Sequence, residues 1–262
     1  MKTALSIAGS DPVGGAGIQA DLKTFFAFGV YGMAVPTAIT VQSTRGVTAV
    51  HPLSADLVAE QLRVLLADVR PDAVKIGMVG SADAAERIAS ILGKSKRGPI
   101  VLDPILAASE GTTLLDEAGL RVLKEKLLPL ADLVTPNLDE ATSLSGIDAK
   151  DADSMREAAL AIRSMGTAAV LVTGGHLEDR ATDVLVTGEG VHVLDSARTP
   201  GRGAHGTGCA LSSAIAAGLA LGLPLKEAVR RAKAYVFLAI ENGLADIGSG
   251  RILLNHFVKP PE

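Results

Sequence analysis

Apolar and polar positions along the chain alternate between two periods. Short apolar runs of strand type lie at Thr3 to Ala8, Met33 to Val41, Ala73 to Ile76, Pro99 to Leu102, Leu133 to Thr135 and Ala168 to Val172. Between them apolar residues recur three and four apart, the spacing of a helix with one buried face. These stretches are Ala16 to Phe28, Ala55 to Ala67, Ala82 to Leu92, Glu117 to Leu128, Asp139 to Leu144 and Ser154 to Met165. Val184 to Thr187 and Val191 to Leu194 flank Gly188-Glu189-Gly190 and predict a hairpin. Helices over Thr207 to Leu221 and Leu225 to Asn242 close the chain. Strands alternating with helices predict an α/β fold with a mainly parallel sheet covered on both faces. In such a sheet the loops after the strands share one rim, where ligands bind. Gly9 to Gly17, Gln42, Gly77, Asp103, Asn137, Gly174 and Gly203 to Cys209 fall on that rim.

Composition narrows the classes. The 262 residues are 48 % apolar and 21 % charged, enough to bury a core, and no linker divides them, so one domain over 1–262 is expected. The net charge is −4 and aromatics are 3 %. A nucleic-acid partner would call for basic surplus and stacking rings, and neither is present. A membrane span needs about 20 apolar residues. The best stretch, Ala210 to Leu223, is shorter and contains Ser212 and Ser213, so it reads as a buried helix. The N-terminal apolar run is too short for a signal peptide and reads as a strand. A lone cysteine, Cys209, excludes a disulfide framework and a Cys-rich zinc site, and a reducing cytoplasmic home is expected.

The 28 glycines exceed the usual ~7 % share, and two glycine loops stand out. Gly9 to Gly17 follows a strand and precedes a helix, where glycine lets backbone N–H groups approach a ligand. Gly15 to Ala20 fits the dinucleotide fingerprint, but that site needs an acid ~20 residues on, and none occurs from Leu22 to Ala55. A turn without ligand is the other reading. The second loop, Gly201 to Cys209, runs into a long apolar helix. The first N–H groups of that helix, at Gly206, Thr207 and Gly208, are a site for negative charge. Cys209 in the first turn is expected to have a depressed thiol pKa, unless it is a small buried residue packing the helix.

Asn137 and Glu140 follow a strand and share a helix face. They suit Mg²⁺ held with substrate phosphates, and they equally suit a capping box. Asp103, at a strand end, is a further oxygen ligand. Asp21, in the first helix near its glycine loop, is another candidate for the metal site and equally reads as a surface acid stabilising the dipole.

Together these segments resemble the ribokinase-like family, in its branch that phosphorylates a hydroxymethylpyrimidine for thiamine biosynthesis. The marks are Ile7 to Pro12, Gly14 to Phe25, Gln42 to Val47, Lys75 to Met78, Leu102 to Pro104, Thr135 to Ala141, Gly174 to His176 and His205 to Cys209. The resemblance spans roughly Ala4 to Glu241. It implies a three-layer α/β/α fold, ATP as co-substrate, Mg²⁺, and a homodimer. It implies that Gln42 hydrogen-bonds the pyrimidine, with Gly9, Ala16, Asp21 and Met78 lining the pocket. Thr173, Gly175 and Asp103 border the nucleotide, and Asn137 and Glu140 organise Mg²⁺. Gly206, Thr207 and Gly208 face the transferring phosphoryl, and Cys209 takes the place of a catalytic base. Pyridoxal is a related substrate, since it also offers a hydroxymethyl on a heteroaromatic ring.

The chain departs from the family pattern at three places. Ser109-Glu110 stand where Lys-Ser is usual, Thr173 where Lys is usual, and Gly203-Ala204 where Asn-Thr is usual. Two cations near phosphate are thereby missing, so poor handling of a phosphate-bearing second substrate is expected.

Overall fold

Runs of valine, isoleucine, leucine and alanine build the strands, and the alternation of their side chains sets the layering. The computed structural model describes residues 1–108, 111–175, 181–196 and 204–261. Ser109, Glu110, His176 and 201–203, named above, lie outside the described residues. The strands of the main sheet are β1 (Thr3–Ser10), β2 (Tyr31–Ser43), β3 (Gly46–Pro52), β4 (Ala73–Ile76), β5 (Ile100–Leu102), β6 (Leu133–Val134), β7 (Val170–Val172), β8 (Ala181–Thr187) and β9 (Gly190–Ser196). Their order is β3-β2-β1-β4-β5-β6-β7-β8-β9. From β2 through β7 all neighbours are parallel. Both edges are antiparallel: β3 on β2, and the expected hairpin β8–β9 beyond β7.

Helices α1 (Gly17–Ala27), α2 (Ala55–Asp68), α3 (Ala82–Leu92), α4 (Glu117–Val122), α5 (Leu138–Ser145), α6 (Ala152–Arg163), α7 (Thr207–Ala220) and α8 (Leu225–Glu241) cover the two faces. Leu5, Ile7, Val74, Ile76, Ile100 and Leu102 pack in one core with Leu62 of α2, Ile88 of α3 and Ile162 of α6. The intervening Ala4, Ala73, Val101 and Leu171 join a second core with Phe25 of α1, Ile215 of α7 and Tyr235 of α8. The central strands are thus buried on both sides, which makes them read as continuous apolar runs. No helix among the described residues is long and apolar enough to cross a membrane.

Three elements differ from the sequence expectation. Glu117 to Leu128 is not one α-helix: α4 ends at Val122 and continues as a π turn, Leu123–Leu127, and a 3₁₀ turn, Leu128–Leu130. The wider turn lets Leu123, Leu127 and Leu128 all face the core, and Pro129 cannot continue the α ladder. The edge strand β3 was not expected, because its half-exposed residues carry no clean alternation. A small parallel pair, β10 (Ala204–His205) with β11 (Ile252–Leu253), was also missed, since two residues leave no period to read.

Strand β4 contains a charge. Lys75 is fully buried and points to the α1–α7 face. Its Nζ lies 3.0 Å from both carboxylate oxygens of Asp21 in α1 and 4.0 Å from Asp103 Oδ2. Asp21 also accepts from Ser6 Oγ of β1 at 2.6 Å and Ser213 Oγ of α7 at 2.7 Å. Gly77 leaves the room for this, as a Cβ there would stand 2.8 Å from Lys75 Nζ. A buried charge is held only by a complete set of partners. Asp21→Leu is therefore expected to lower stability by about 3–5 kcal/mol in chemical denaturation. Combining it with Lys75→Met should recover most of that loss. A single-variant loss below about 1 kcal/mol would show that the pair does not hold the layers together.

Candidate active site

Because β1, β2, β4, β5, β6 and β7 run parallel, their C-terminal ends open on one rim. The order of connection reverses between β1 and β4, and such a switch point leaves a crevice for a ligand. Gly9 of β1 and Met78 after β4 meet there: a Cβ on Gly9 would stand 2.1 Å from Met78 Cε. On the same side Gln42, half-buried, sits where the β2–β3 pairing slips by one residue, with Thr48 as the extra residue. Such an irregularity sharpens the twist beside a site. One end of the Gln42 amide lies 3.2 Å from Thr40 Oγ1 and the other 2.9 Å from His205 Nε2.

The two glycine loops are used in opposite ways. In the first, Asp11 turns back on its own loop. Its carboxylate accepts from the N–H groups of Val13, Gly15 and Ala16 at 2.8–3.0 Å. His205 Nε2 lies 3.0 Å from Asp11 Oδ2. Burial raises the Asp11 pKa, but the bond to His205 and the loop amides outweigh it and hold the carboxyl below its usual value. These amides, expected to meet a ligand, are occupied by an internal anion, and that also leaves no open cradle for a dinucleotide pyrophosphate. Ala16 is the N-cap of α1.

The second loop ends in the first turn of α7, where amides lack helix partners. Gly206 caps α7 with a left-handed φ of 81°. A Cβ there would stand 1.8 Å from Gly15 O, so only glycine allows the two loops to touch. The first intrahelical bond is Ala210 N–H to Gly206 O. Thr207, Gly208 and Cys209 therefore present N–H groups without helix partners. Gly208 is exposed, with open space where a Cβ would be.

The expectation for Cys209 is overturned. Its thiol is pushed up to about 12 chiefly by burial, with Asp103 and Asp21 adding to the rise. Lys75 and the Gly17 N–H oppose this without reversing it. A helix dipole contributes at most ~2 kcal/mol, which desolvation exceeds here. The role expected of Asp21 changes as well. It neither lines an open pocket nor lies on the surface, because its carboxylate is fully buried and engaged by Ser6, Lys75 and Ser213.

Asp103 joins the two halves of the rim. It lies 3.0 Å from Ser212 Oγ of α7 and is 5 % exposed. Burial raises its pKa against the pull of Lys75 and Ser212. Glu140 is raised to about 8 by burial and then by Asp103. Asn137 and Glu140 form the capping box of α5, each side chain accepting from the other's N–H at 2.9 Å. The described residues contain no group of three His, Cys, Asp or Glu arranged around a metal ion. Two buried carboxyl groups, one of which raises the pKa of the other, nevertheless fit a hard divalent cation whose other ligands come from phosphate and water. Thr173 bridges to Asn137 across β6 and β7 and donates its N–H to Pro136 O at 2.9 Å. Gly175 is exposed beside it.

Lys75, Asp11 and His205 are functional neighbours that residue-type reasoning passed over. The signal for Lys75 was a single charge within the buried run Ala73–Ile76. No sequence signal linked Asp11 to His205, which are 194 residues apart.

Known proteins resemble this chain over nearly its whole length. A family model described as phosphomethylpyrimidine kinase matches residues 11–255. The chain is 50 % identical over 257 residues to the hydroxymethylpyrimidine/phosphomethylpyrimidine kinase of Rhizobium meliloti, covering 97 % of this chain and 96 % of that one. It is 46 % identical over 256 residues, 97 % of its own length, to the thiamine biosynthesis bifunctional protein of Geobacter sulfurreducens, and it spans about half (52 %) of that longer protein. The phosphomethylpyrimidine kinase structure from Clostridium difficile matches with a TM-score of 0.82 at 42 % identity, over 92 % of this chain and all (100 %) of that one. The ADP complex of Bacillus subtilis pyridoxal kinase matches with a TM-score of 0.89 at 37 % identity, over 98 % and 97 %. With a parallel sheet, a switch-point crevice and an open helix N-terminus on one rim, the chain belongs to the phosphomethylpyrimidine kinase family of small-molecule kinases.

Proposed function

We propose that the chain transfers the γ-phosphoryl group of ATP to the hydroxymethyl oxygen of 4-amino-5-hydroxymethyl-2-methylpyrimidine, a step of thiamine biosynthesis. The observation that carries this reading is the meeting of an amide, Gln42, with the open N-terminus of α7 at the β1–β4 crevice. Gln42 reads the ring edge, because an amide both donates and accepts. Met78 packs the ring, backed by Gly9 and Ala16. Thr173 and Gly175 border the nucleotide, with Asp103 beside the phosphates. Asn137 and Glu140 hold Mg²⁺, which when bound neutralises phosphate charge.

The alcohol oxygen forms a bond to the γ-phosphorus as the bond to the ADP oxygen breaks. The N–H groups of Thr207 and Gly208 donate to the phosphoryl oxygens where charge develops. The alcohol proton goes to the Cys209 sulfur. The lone cysteine and the absence of a membrane-crossing helix among the described residues support a cytoplasmic enzyme. Exposed Tyr31, Ile39 and Val41 along β2 support a homodimer.

ADP release measured with hydroxymethylpyrimidine and Mg²⁺-ATP tests the main reading, and no turnover would refute it. The likeness to pyridoxal kinase favours pyridoxal as the second substrate to assay. The monophosphate is expected to react less efficiently than the alcohol, since Thr173 offers no cation. Equal kcat/KM on both would overturn that expectation.

A thiolate of high pKa is a strong base but scarce at neutral pH. Turnover is therefore expected to climb about tenfold per pH unit between 7 and 9. Cys209→Ala should lower kcat ~10²-fold and flatten that slope. Near-normal turnover would mean that Cys209 only packs.

Glu140 is protonated in both folded and unfolded protein below its ordinary value of 4.5. Between 4.5 and about 8 the folded state keeps a proton that the unfolded state has lost, so metal-free stability falls as pH rises through that window. Melting temperatures across this range should decline less steeply in Glu140→Gln. Identical slopes would show that Glu140 is not the group that titrates.

A further inference from the structure

We infer that His205 and Thr40 fix which way round the Gln42 amide faces, and that this orientation selects a ring edge with an amino donor beside a ring-nitrogen acceptor. The inference rests on the reading of Gln42 given under Proposed function. Thr40 Oγ1 lies 2.8 Å from Ser10 O. A carbonyl only accepts, so the single hydroxyl proton points there. Toward the Gln42 amide, 3.2 Å away, Thr40 therefore offers lone pairs alone. On the other side, His205 Nε2 lies 3.0 Å from a carboxylate oxygen of Asp11. An ionised carboxylate also only accepts, so Nε2 carries the hydrogen. That same N–H faces the second end of the Gln42 amide at 2.9 Å.

The two ends of an amide are nearly the same size, and their hydrogen-bond partners decide between them. With Oε1 toward Thr40, acceptor faces acceptor and donor faces donor. Turned by 180°, Nε2 donates to Thr40, and Oε1 faces the His205 N–H, whose one hydrogen is shared between it and Asp11 Oδ2, so no like groups meet. Two independent neighbours choose the same orientation. His205 is itself held in place, since a Cβ on Gly15 would stand 2.5 Å from its Cδ2. Asp11 in turn is anchored by Val13, Gly15 and Ala16.

This leaves Gln42 one lone pair on the His205 side and one N–H on the Thr40 side. A 4-aminopyrimidine fits, its amino group toward His205 and its ring nitrogen toward Thr40. A 4-oxo ring presents a carbonyl and a ring N–H, the reverse order. It would meet like against like, or turn over and carry its hydroxymethyl away from α7. A site built on such pairs rejects the mismatched ring strongly. His205 is thus a positioning residue that acts through Gln42.

The test is the ratio of kcat/KM for two probes, 4-amino- and 4-oxo-5-hydroxymethyl-2-methylpyrimidine. The wild type is expected to favour the amino ring by ~10²-fold or more. His205→Phe, which keeps the ring against Gly15 but has no N–H, should lower that ratio at least ~10-fold. His205→Gln, which returns an N–H, should restore most of it. Thr40→Val repeats the test from the other side and should lower the ratio likewise. General damage to packing lowers both probes together and leaves the ratio alone. An unchanged ratio in His205→Phe or Thr40→Val, with the amino ring still phosphorylated by the wild type, overturns this inference alone. A wild type that phosphorylates neither ring overturns the pyrimidine reading, and this inference falls with it.

Discussion

A positive charge inside a parallel sheet sets most of what this molecule can be. Lys75 sits in a strand with no exposed surface, where an unpaired ammonium is not tolerated. Its partners decide where other elements go. Asp21 brings in α1, Ser213 brings in α7, Ser6 ties the pair to β1, and Asp103 extends it to the end of β5. Burial works against the ammonium, yet Asp21 first, with Cys209 and Asp103, holds its pKa above the ordinary lysine value. Helix α7 is therefore docked by polar contacts as well as by Ile215 and its apolar neighbours.

The same electrostatics explains why two glycine loops of similar composition behave differently. Asp11 fills the first from within, so its amides are rigid and already satisfied. No acid occupies the first turn of α7, so its amides remain open. Positive potential is thus concentrated at one end of the crevice. Across the rim lie the carboxyl groups of Asp103 and Glu140, whose pKa values burial raises. In the proposed function the gap between the two sides takes the nucleotide triphosphate and its cation.

Much of this was legible in the sequence. The β4 and α3 boundaries agree at Ala73–Ile76 and Ala82–Leu92, because long-range packing and local period coincide there. The gathering of Gly9, Gln42, Gly77 and Gly206 on one rim followed from the strand-end rule, and Met78 from the resemblance. What escaped was of a different kind. The Asp11–His205 contact and the β10–β11 pair depend on distant segments that share no local pattern. The Cys209 thiol was misjudged because the helix position is visible in sequence and desolvation is not. For the same reason Asp21 looked like a surface acid: its depth comes from α7, nearly two hundred residues later (192).

The contact between Gly206 and the Gly15 carbonyl has a dynamic consequence. Backbone rests on backbone there, and His205 and Leu253 wedge against the same loop. The first glycine loop and the N-terminus of α7 are thereby braced on one another, so a shift of either displaces the other.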